Sequence, residues 1–408
     1  MVTLLVDVLV SWRNVIRHAR RSLAGAVAVV FGVVALMIAA GFIEWIYFAM
    51  REGTIAAGLG HLQVVRAGYG ERGTADPSNY LLPERSPHRQ ASETAASVRS
   101  VAPRLKFTGL VSLNDASLSV LGQGLDVDKD LSGRYGTLVE SGATLSYADP
   151  KGIVLGHRLA SNLGAKVGDT LVLLVNGRGG ALAGAEVTVR GTFSTPAQAY
   201  DEVAVHVPFA LANEILQARG AHAWVVYLDE TSSTAAVVRA LEKQLGPDLQ
   251  VVPWYEVADF YNKTVRLFSR QVLVMKFIIA FVVILSISNT MMMSVMERID
   301  EIATSMALGV RRARVLSRFL IEGLLIGVIG GLLGIALGYL LAAAISKIGI
   351  PMPPPPGMAR SFVGEILVTP ALAWDAMLLA GATALIASLY PAWKASRMVI
   401  AAALRHGR

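Results

Sequence analysis

Apolar positions follow two unlike patterns along the chain: unbroken runs near both ends, and alternation with polar residues through the middle. Leu23 to Ile43 (LAGAVAVVFGVVALMIAAGFI) holds 21 residues without a charge. At about 1.5 Å rise per residue it can cross the roughly 30 Å of a bilayer's hydrocarbon core as a helix. Phe277 to Met296, Gly323 to Ser346 and Ala376 to Trp393 are uncharged for 20, 24 and 18 residues. The pattern predicts four transmembrane helices. The first run exceeds the roughly 7 to 15 apolar residues of a cleavable signal and continues into GFIEWIYFAM, so it reads as a retained anchor.

The middle reads as α+β. LGHLQVVRAGYG is a strand leaving the first span, and HRQASETAASVRSVAPRL a helix. KFTGLVSLNDASLSVLGQGLDV alternates as strands around turn residues. KGIVLGHRLASNLGAKVGDTLVLLV gives strand, short helix, a turn at Val167-Gly168-Asp169, and strand. Gly-rich NGRGGALAG follows, with strands through Val207. AWVVYLDE, TAAVVRALEKQLG and LQVVPW make a strand-helix-strand unit before a helix from Tyr255 that runs into the second span. The fold class expected is an α-helical membrane protein with four transmembrane helices and a large α+β extracytoplasmic domain inserted between the first and second. Both ends of the insert would form an α+β lobe, with a β-rich lobe at about 111–222 set into it and the whole acting as a lever on the membrane helices.

The division is 1–22 basic segment, 23–44 first span, 45–271 α+β domain, 272–296 second span, and 297–318 amphipathic and basic helices. Then come 319–346 third span, 347–373 Pro-rich connection, 374–393 fourth span and 394–408 tail.

Composition agrees with a membrane protein: 54% hydrophobic, 16% charged, mean hydropathy +0.52, against roughly 25% charged in soluble domains. With no cysteine, disulfides and thiolate chemistry are excluded. The net charge of +7 sits beside the apolar runs, which points away from nucleic acid and toward membrane flanks. Arg13, Arg17, Arg20 and Arg21 precede the first span. Arg298, Arg311, Arg312, Arg314 and Arg318 separate the second and third, and Lys394, Arg397, Arg405 and Arg408 follow the fourth. By the positive-inside rule these segments, with both termini, are cytoplasmic, and the α+β domain lies on the other side.

The cytoplasmic stretch MERIDEIATSMALGVRRARV places Ile299, Ile302, Ala303 and Met306 on one helical stripe, with Asp300, Glu301, Thr304 and Ser305 facing away. Gly309 supplies a stop before a basic helix entering the third span. A short tethered helix with an apolar stripe needs a membrane surface or a partner's groove to lie against.

No G-x-x-x-x-G-K-[ST] loop, H-E-x-x-H or G-x-S-x-G occurs, so neither nucleotide hydrolysis nor metallo- or acyl-transfer catalysis is expected. His18, His61, His88, His157, His206, His222 and His406 lack metal-ligand spacing, and only His206 and His222 could meet through neighbouring strands. Gly323, Gly327, Gly330, Gly331, Gly334 and Gly338 build overlapping G-x-x-x-G pairs, a helix-packing seam leaning slightly toward dimerisation. Lys276 is expected to snorkel, Glu322 to pair with Arg318, and Asn289, with Ser286 and Ser288, to bond across helices or line a cavity. The loop Gly349 to Phe362, with five prolines, is expected to be an extended spacer.

One span, a large insert, then three spans with a short amphipathic helix after the second: this arrangement resembles FtsX/MacB-type permeases of ABC transporters, including the lipoprotein-releasing Lol (LolC/LolE-like) permeases. MERIDEIATSMALGVRRARVLSRFLIEGLLIGVIGGLLGIALG is similar to their coupling-helix and third-span signature, KGIVLGHRLASNLGAKVGDTLVLL to their outer-domain signature, and Tyr390 to Arg405 to their closing motif. The chain departs from the pattern at Thr304-Ser305-Met306, where a basic residue is common, and at Val399-Ile400-Ala401, where a proline is.

The resemblance implies a helix from Arg298 to Leu308 docking on a cytoplasmic ABC ATPase dimer. Ile299, Ile302 and Met306 would sit in its groove and Glu297, Arg298 and Glu301 at the rim, with Leu308 and Gly309 completing the ATPase-coupling residues. It implies ATP and Mg in that partner and no cofactor in this chain. A second permease, as homodimer or heterodimer, a lipid or lipoprotein substrate and a periplasmic carrier would complete the assembly in a bacterial inner membrane. The GHLQV strand with Gly60 and His61, and the size of the insert, lean toward the Lol group. A mechanical regulator of a periplasmic enzyme that moves no cargo is the other family reading; a stand-alone membrane receptor is the reading outside it.

Overall fold

The computed structural model describes residues 2–17, 19–73, 76–131, 138–177, 181–195, 198–352 and 362–398. In chain order the main elements are α1 (Val2–Arg17), α2 (Ala19–Thr54), β1 (Leu62–Arg66), α3 (Pro87–Glu93), β2 (Val98–Leu113), β3 (Ala116–Leu125) and β4 (Leu138–Gly142). β5 (Gly152–Gly156), α4 (His157–Leu163), β6 (Thr170–Asn176), β7 (Leu182–Ser194), β8 (Ala204–Pro208), α5 (Phe209–Leu216) and β9 (Ala223–Leu228) follow. The chain continues through α6 (Thr234–Gln244), β10 (Leu249–Pro253), α7 (Asp259–Glu297), α8 (Ile299–Ala307), α9 (Arg312–Ile348) and α10 (Pro370–Ser396).

Two compact units result: 1–47 with 264–351 and 363–408, and 48–263 with 352–362. The first is helical. Among the described residues four helices are long and apolar enough to cross a membrane, at Ser22–Thr54, Asp259–Glu297, Arg312–Ile348 and Pro370–Ser396. They extend past the uncharged runs because helical hydrogen bonding continues into their polar flanks. Their shared core holds Val33, Leu36 and Met37 of α2, Ile287 and Met291 of α7, Ile326 of α9, and Ala376, Ala380 and Ala384 of α10. Small residues dominate the buried positions of α9 and α10, as expected where backbones approach without a hydrophobic driving force.

The second unit is one ten-stranded sheet among the described residues. β10, β1, β9 and β2 pair antiparallel in that order, and their core (Leu62, Val64, Trp224, Val226) is covered by Val237, Val238 and Leu241 of α6. β2 is 16 residues long and belongs to two layers. Beyond Arg104 it pairs with β3 on one side and β6 on the other. The pairings β3–β8, β8–β5, β5–β7 and β7–β6 then return to β2 and close a six-stranded barrel. Alternation along β6, with Leu171, Leu173 and Val175 inward and Thr170, Val172 and Asn176 outward, fills its core. Asn114, at φ 52°, turns β2 into β3 within two residues.

One sequence expectation fails here. HRQASETAASVRSVAPRL is not a single helix: α3 ends at Glu93, Ser97 takes φ 65°, and Val98 opens β2. The run Val98, Val101, Leu105 is β-branched or aliphatic at strand positions, and pairing with β9 outweighs the helical character of the alanines before it.

Candidate coupling site

α8 forms for local reasons. Asp300 and Glu301 occupy its first turn, favourable beside the positive end of the helix dipole. Gly309, at φ 94°, ends it where a side chain would be strained. The apolar stripe exists as expected, but it faces inward. Ile302, Ala303 and Met306 are buried in this chain's own helical core, and Ile299 is half-buried. The placement of Ile302 and Met306 in a partner's groove is therefore corrected: the bundle supplies the surface that the stripe needs. What α8 presents outward is Asp300, Glu301, Thr304 and, at its end, Leu308, which is 81% exposed. Glu297, the last residue of α7, is also exposed.

Arg298 fixes this helix. Its Nη1 donates to Glu322 Oε2 at 3.1 Å, its Nε lies 3.5 Å from Glu301 Oε2, and its guanidinium rests over the Phe319 ring at 5.4 Å. Glu322 thus pairs with Arg298 and not with Arg318. Arg318 instead donates to Asp7 at 2.9 Å, beside Arg314 at 3.6 Å, because α1 lies along the base of α9. The basic N-terminal segment hides that helix, whose buried positions Asp7, Ser11 and Val15 recur every fourth residue. Two more expectations change. Lys276 pairs with Asp375 of α10, and Asn289 lies exposed on α7.

All six seam glycines are consumed within the chain, on two faces of α9. A Cβ on Gly323 or Gly327 would meet Ser388 at 2.6 Å or Ala384 at 2.4 Å, and one on Gly331 would meet Met377 at 3.0 Å, all on α10. Gly330, Gly334 and Gly338 face Val29, Val33 and Met37 of α2 at 2.7, 2.7 and 2.8 Å. Each set follows i, i+4, i+8, so the run of glycines is two close-approach seams wound on one helix. The lean toward dimerisation at this seam is accordingly corrected.

In the second unit a site that the alternation pattern hides surrounds Arg104, 3% exposed. Its Nε and Nη2 donate to Asp130, its Nη1 donates to the Gly58 carbonyl, and Tyr227 Oη donates to Asp130 Oδ1 at 3.0 Å. Burial alone would lower the guanidinium's proton affinity; the Asp130 carboxylate more than offsets this and holds it charged. Arg104 shares the register of Ala102 and Lys106, opposite to Leu105 and Phe107, so alternation alone reads it as an outward polar position. Nearby, His61 Nδ1 accepts from the Leu228 amide, so its Nε2–H donates to Thr231 Oγ1 at 3.2 Å, and that hydroxyl donates to Glu52 at 3.0 Å. Burial lowers the His61 pKa, with Glu52 opposing and Arg51 assisting. His206 stacks on Phe193 at 4.3 Å and His222 on Tyr69 at 5.8 Å; the two share no described contact.

Outside the barrel, Thr108, Leu110, Ser119, Leu121, Leu174 and Leu182 line a groove of about 450 Å³, and among the described residues none that lines it is charged. Residues 353–361 of the Pro-rich connection, Val399-Ile400-Ala401, Arg405, Arg408, His18 and His406 lie outside the described residues.

Residues 22–244 match the MacB-like periplasmic core domain, and residues 273–400 the FtsX-like permease C-terminal domain. The macrolide export ATP-binding/permease protein MacB of Syntrophobacter fumaroxidans is 30% identical over 198 residues, 45% of this chain and 25% of that protein, so the chain spans a quarter of that relative's length. Among solved structures, the periplasmic region of MacB from Actinobacillus actinomycetemcomitans is similar at TM-score 0.37 and 14% identity, over 51% of this chain and 95% of that one. The extracellular domain of the noncanonic ABC-type transporter YknZ from Gram-positive bacteria gives TM-score 0.35 and 14% identity, over 47% and 98%. With the core-domain match alone spanning more than half of the 408 residues, and the permease match covering the helices around α8, the chain belongs to the FtsX/MacB-type ABC transporter permeases.

Proposed function

We propose that this permease receives the stroke of an ABC ATPase lying outside these 408 residues and converts it into movement of the α+β unit, placed on the extracytoplasmic side, to extract an amphiphile such as a lipoprotein or lipid. The observation that carries this reading is α8. It is a nine-residue helix between two membrane-length helices, with its apolar stripe on its own bundle and Asp300, Glu301, Thr304 and Leu308 turned outward. A helix held from within and bare at its tip is suited to take a push. Arg298 joins its first turn to α9, and the glycine seams join α9 to α2 and α10, so displacement of α8 would be shared across the bundle.

An amphiphilic cargo is supported by the groove on the barrel, whose described lining residues carry no charge and whose volume falls in the range of roughly 300–1,000 Å³ that ligand pockets occupy. The assembly would contain two permeases, two ATPase subunits and ATP with Mg in the latter.

The test uses the absence of native cysteine. A photo-crosslinker on Leu308→Cys, in membranes coexpressing a candidate ABC ATPase that copurifies with the permease, is expected to give one permease–ATPase adduct that depends on nucleotide state. A copurifying complex that yields no adduct overturns the docking assignment. If ATP turnover in proteoliposomes releases no acylated cargo while the adduct forms, the mechanical-regulator reading replaces transport.

A further inference from the structure

α1 carries a second surface with no role in the coupling reading. Its buried line is Asp7, Ser11 and Val15, against the base of α9. At about 100° per residue from Asp7, the exposed residues Trp12, Ile16 and Leu9 fall near 140°, 180° and 200°, and Arg13 and Arg17 near 240° and 280°. An apolar stripe therefore runs beside a basic one, on a face that the other described residues leave open: Leu9 and Ile16 are each 57% exposed and Trp12 44%. Arg20, in the first turn of α2, is exposed as well. Asp7 is the only acidic residue before Glu44, and it is engaged by Arg318 and Arg314. Nothing acidic on α1 remains to neutralise the arginines.

We propose that this face of α1 lies in the headgroup layer of the membrane and binds anionic phospholipid, with Trp12, Ile16 and Leu9 among the acyl chains and Arg13, Arg17 and Arg20 on the phosphates. Three observations select a lipid surface over a protein groove. The exposed face has cations without a free carboxylate, complementary to an anionic leaflet. Tryptophan beside aliphatics at the apolar–basic border is the amphipathy of an interfacial helix, whose arginine stems follow the apolar surface while their heads reach the phosphates. The helix also continues, within a few residues, into the membrane-length helix beginning at Ser22, so its distance from the bilayer is limited by the chain itself. Through Asp7, which holds Arg318 and Arg314, lipid binding here sets the position of the α9 base beside α8.

The test is electron paramagnetic resonance on full-length permease in nanodiscs, with a nitroxide on Ile16→Cys as the only cysteine. In discs containing phosphatidylglycerol the label is expected to be open to oxygen and shielded from a water-soluble nickel complex. This shielding should be lost in part in phosphatidylcholine discs, and equally lost with phosphatidylglycerol in an R13Q/R17Q/R20Q variant whose elution profile is unchanged. A label open to the nickel complex in both lipids overturns the proposal. So does shielding that arises only when the ATPase is added, which would assign the face to a protein. Shielding insensitive to both lipid charge and the three substitutions overturns the anionic specificity.

Discussion

Arg298 Nη1 lies 3.1 Å from a Glu322 carboxylate that is itself only 3% exposed, so one guanidinium joins the start of α8 to the interior of the α9 seam. A carboxylate this deep depends on charged hydrogen-bond donors to offset its lost hydration, and Arg298 is one of them. R298A should therefore destabilise the purified permease, by up to about 3–5 kcal/mol as for a buried pair that loses one member. R298K keeps the charge but loses the fork that reaches Glu301, and should fall in between. Thermal melting in detergent checks this, with R298A/E322A expected to regain part of the loss. A double variant no better than R298A would mean the two residues are not coupled.

Leu308 and Met306 separate assembly from folding. Met306 is 8% exposed within the helical core, so M306E buries an unpaired charge at several kcal/mol and should lower the melting temperature and yield of the permease alone. Leu308 is 81% exposed, so L308E should leave melting within about 0.5 kcal/mol of the parent yet reduce copurification of the ATPase. Equal ATPase recovery with L308E and the parent would place the contact elsewhere on α8.

The stripe shows where sequence reading worked and where it stopped. Spacing gave the right four residues, since a helical period depends only on order along the chain. It could not say whether their surface came from another subunit or from this chain's own helical core, because that is a tertiary fact. The glycine run behaves in the same way: spacing marked a seam, while the split into an α10 face and an α2 face needs coordinates. Strands were legible where inward positions alternate cleanly, as along β6. They were misread at Val98–Leu105, where the preceding alanines read as helix and only pairing with β9 decides the outcome. Barrel closure through β6 and β2 was beyond reach, being a relation between strands over 50 residues apart.

The seam makes a graded prediction. G327L must fit a side chain where a Cβ already meets Ala384 at 2.4 Å and the Ala380 carbonyl at 3.0 Å, so α9 and α10 must separate, at a cost of about 1–3 kcal/mol or more. G381A, whose nearest neighbour is Leu324 at 3.9 Å, should be neutral. Cysteine pairs placed across α9 and α10 report the separation: crosslinking should drop in G327L and persist in G381A. Equal crosslinking in the two would show that the contact is not tight.

Two histidines set an acid limit on the α+β unit. Burial pushes His206 down to about 4, with Arg104 assisting and Asp130 opposing, and burial with Lys106 pushes His222 down to about 4 as well. Gln123 donates to Tyr200 Oη at 2.7 Å, which leaves the tyrosine proton for His206 Nε2 at 3.2 Å, a bond that requires neutral imidazole. His222 Nδ1 likewise accepts from the Lys106 amide. Between the unfolded value near 6.5 and the folded value near 4, the unfolded chain binds up to about two more protons, so stability falls as pH drops through that window and is fully present above it. Each histidine accounts for about 3 kcal/mol by pH 4, taking about 1.4 kcal/mol per unit. Denaturant melts of the full chain between pH 7 and 4.5 should show this slope, and H206F, which keeps the stack on Phe193 without a titrating group, should flatten it by about one proton. An unchanged slope in H206F would show that His206 titrates normally in the folded protein.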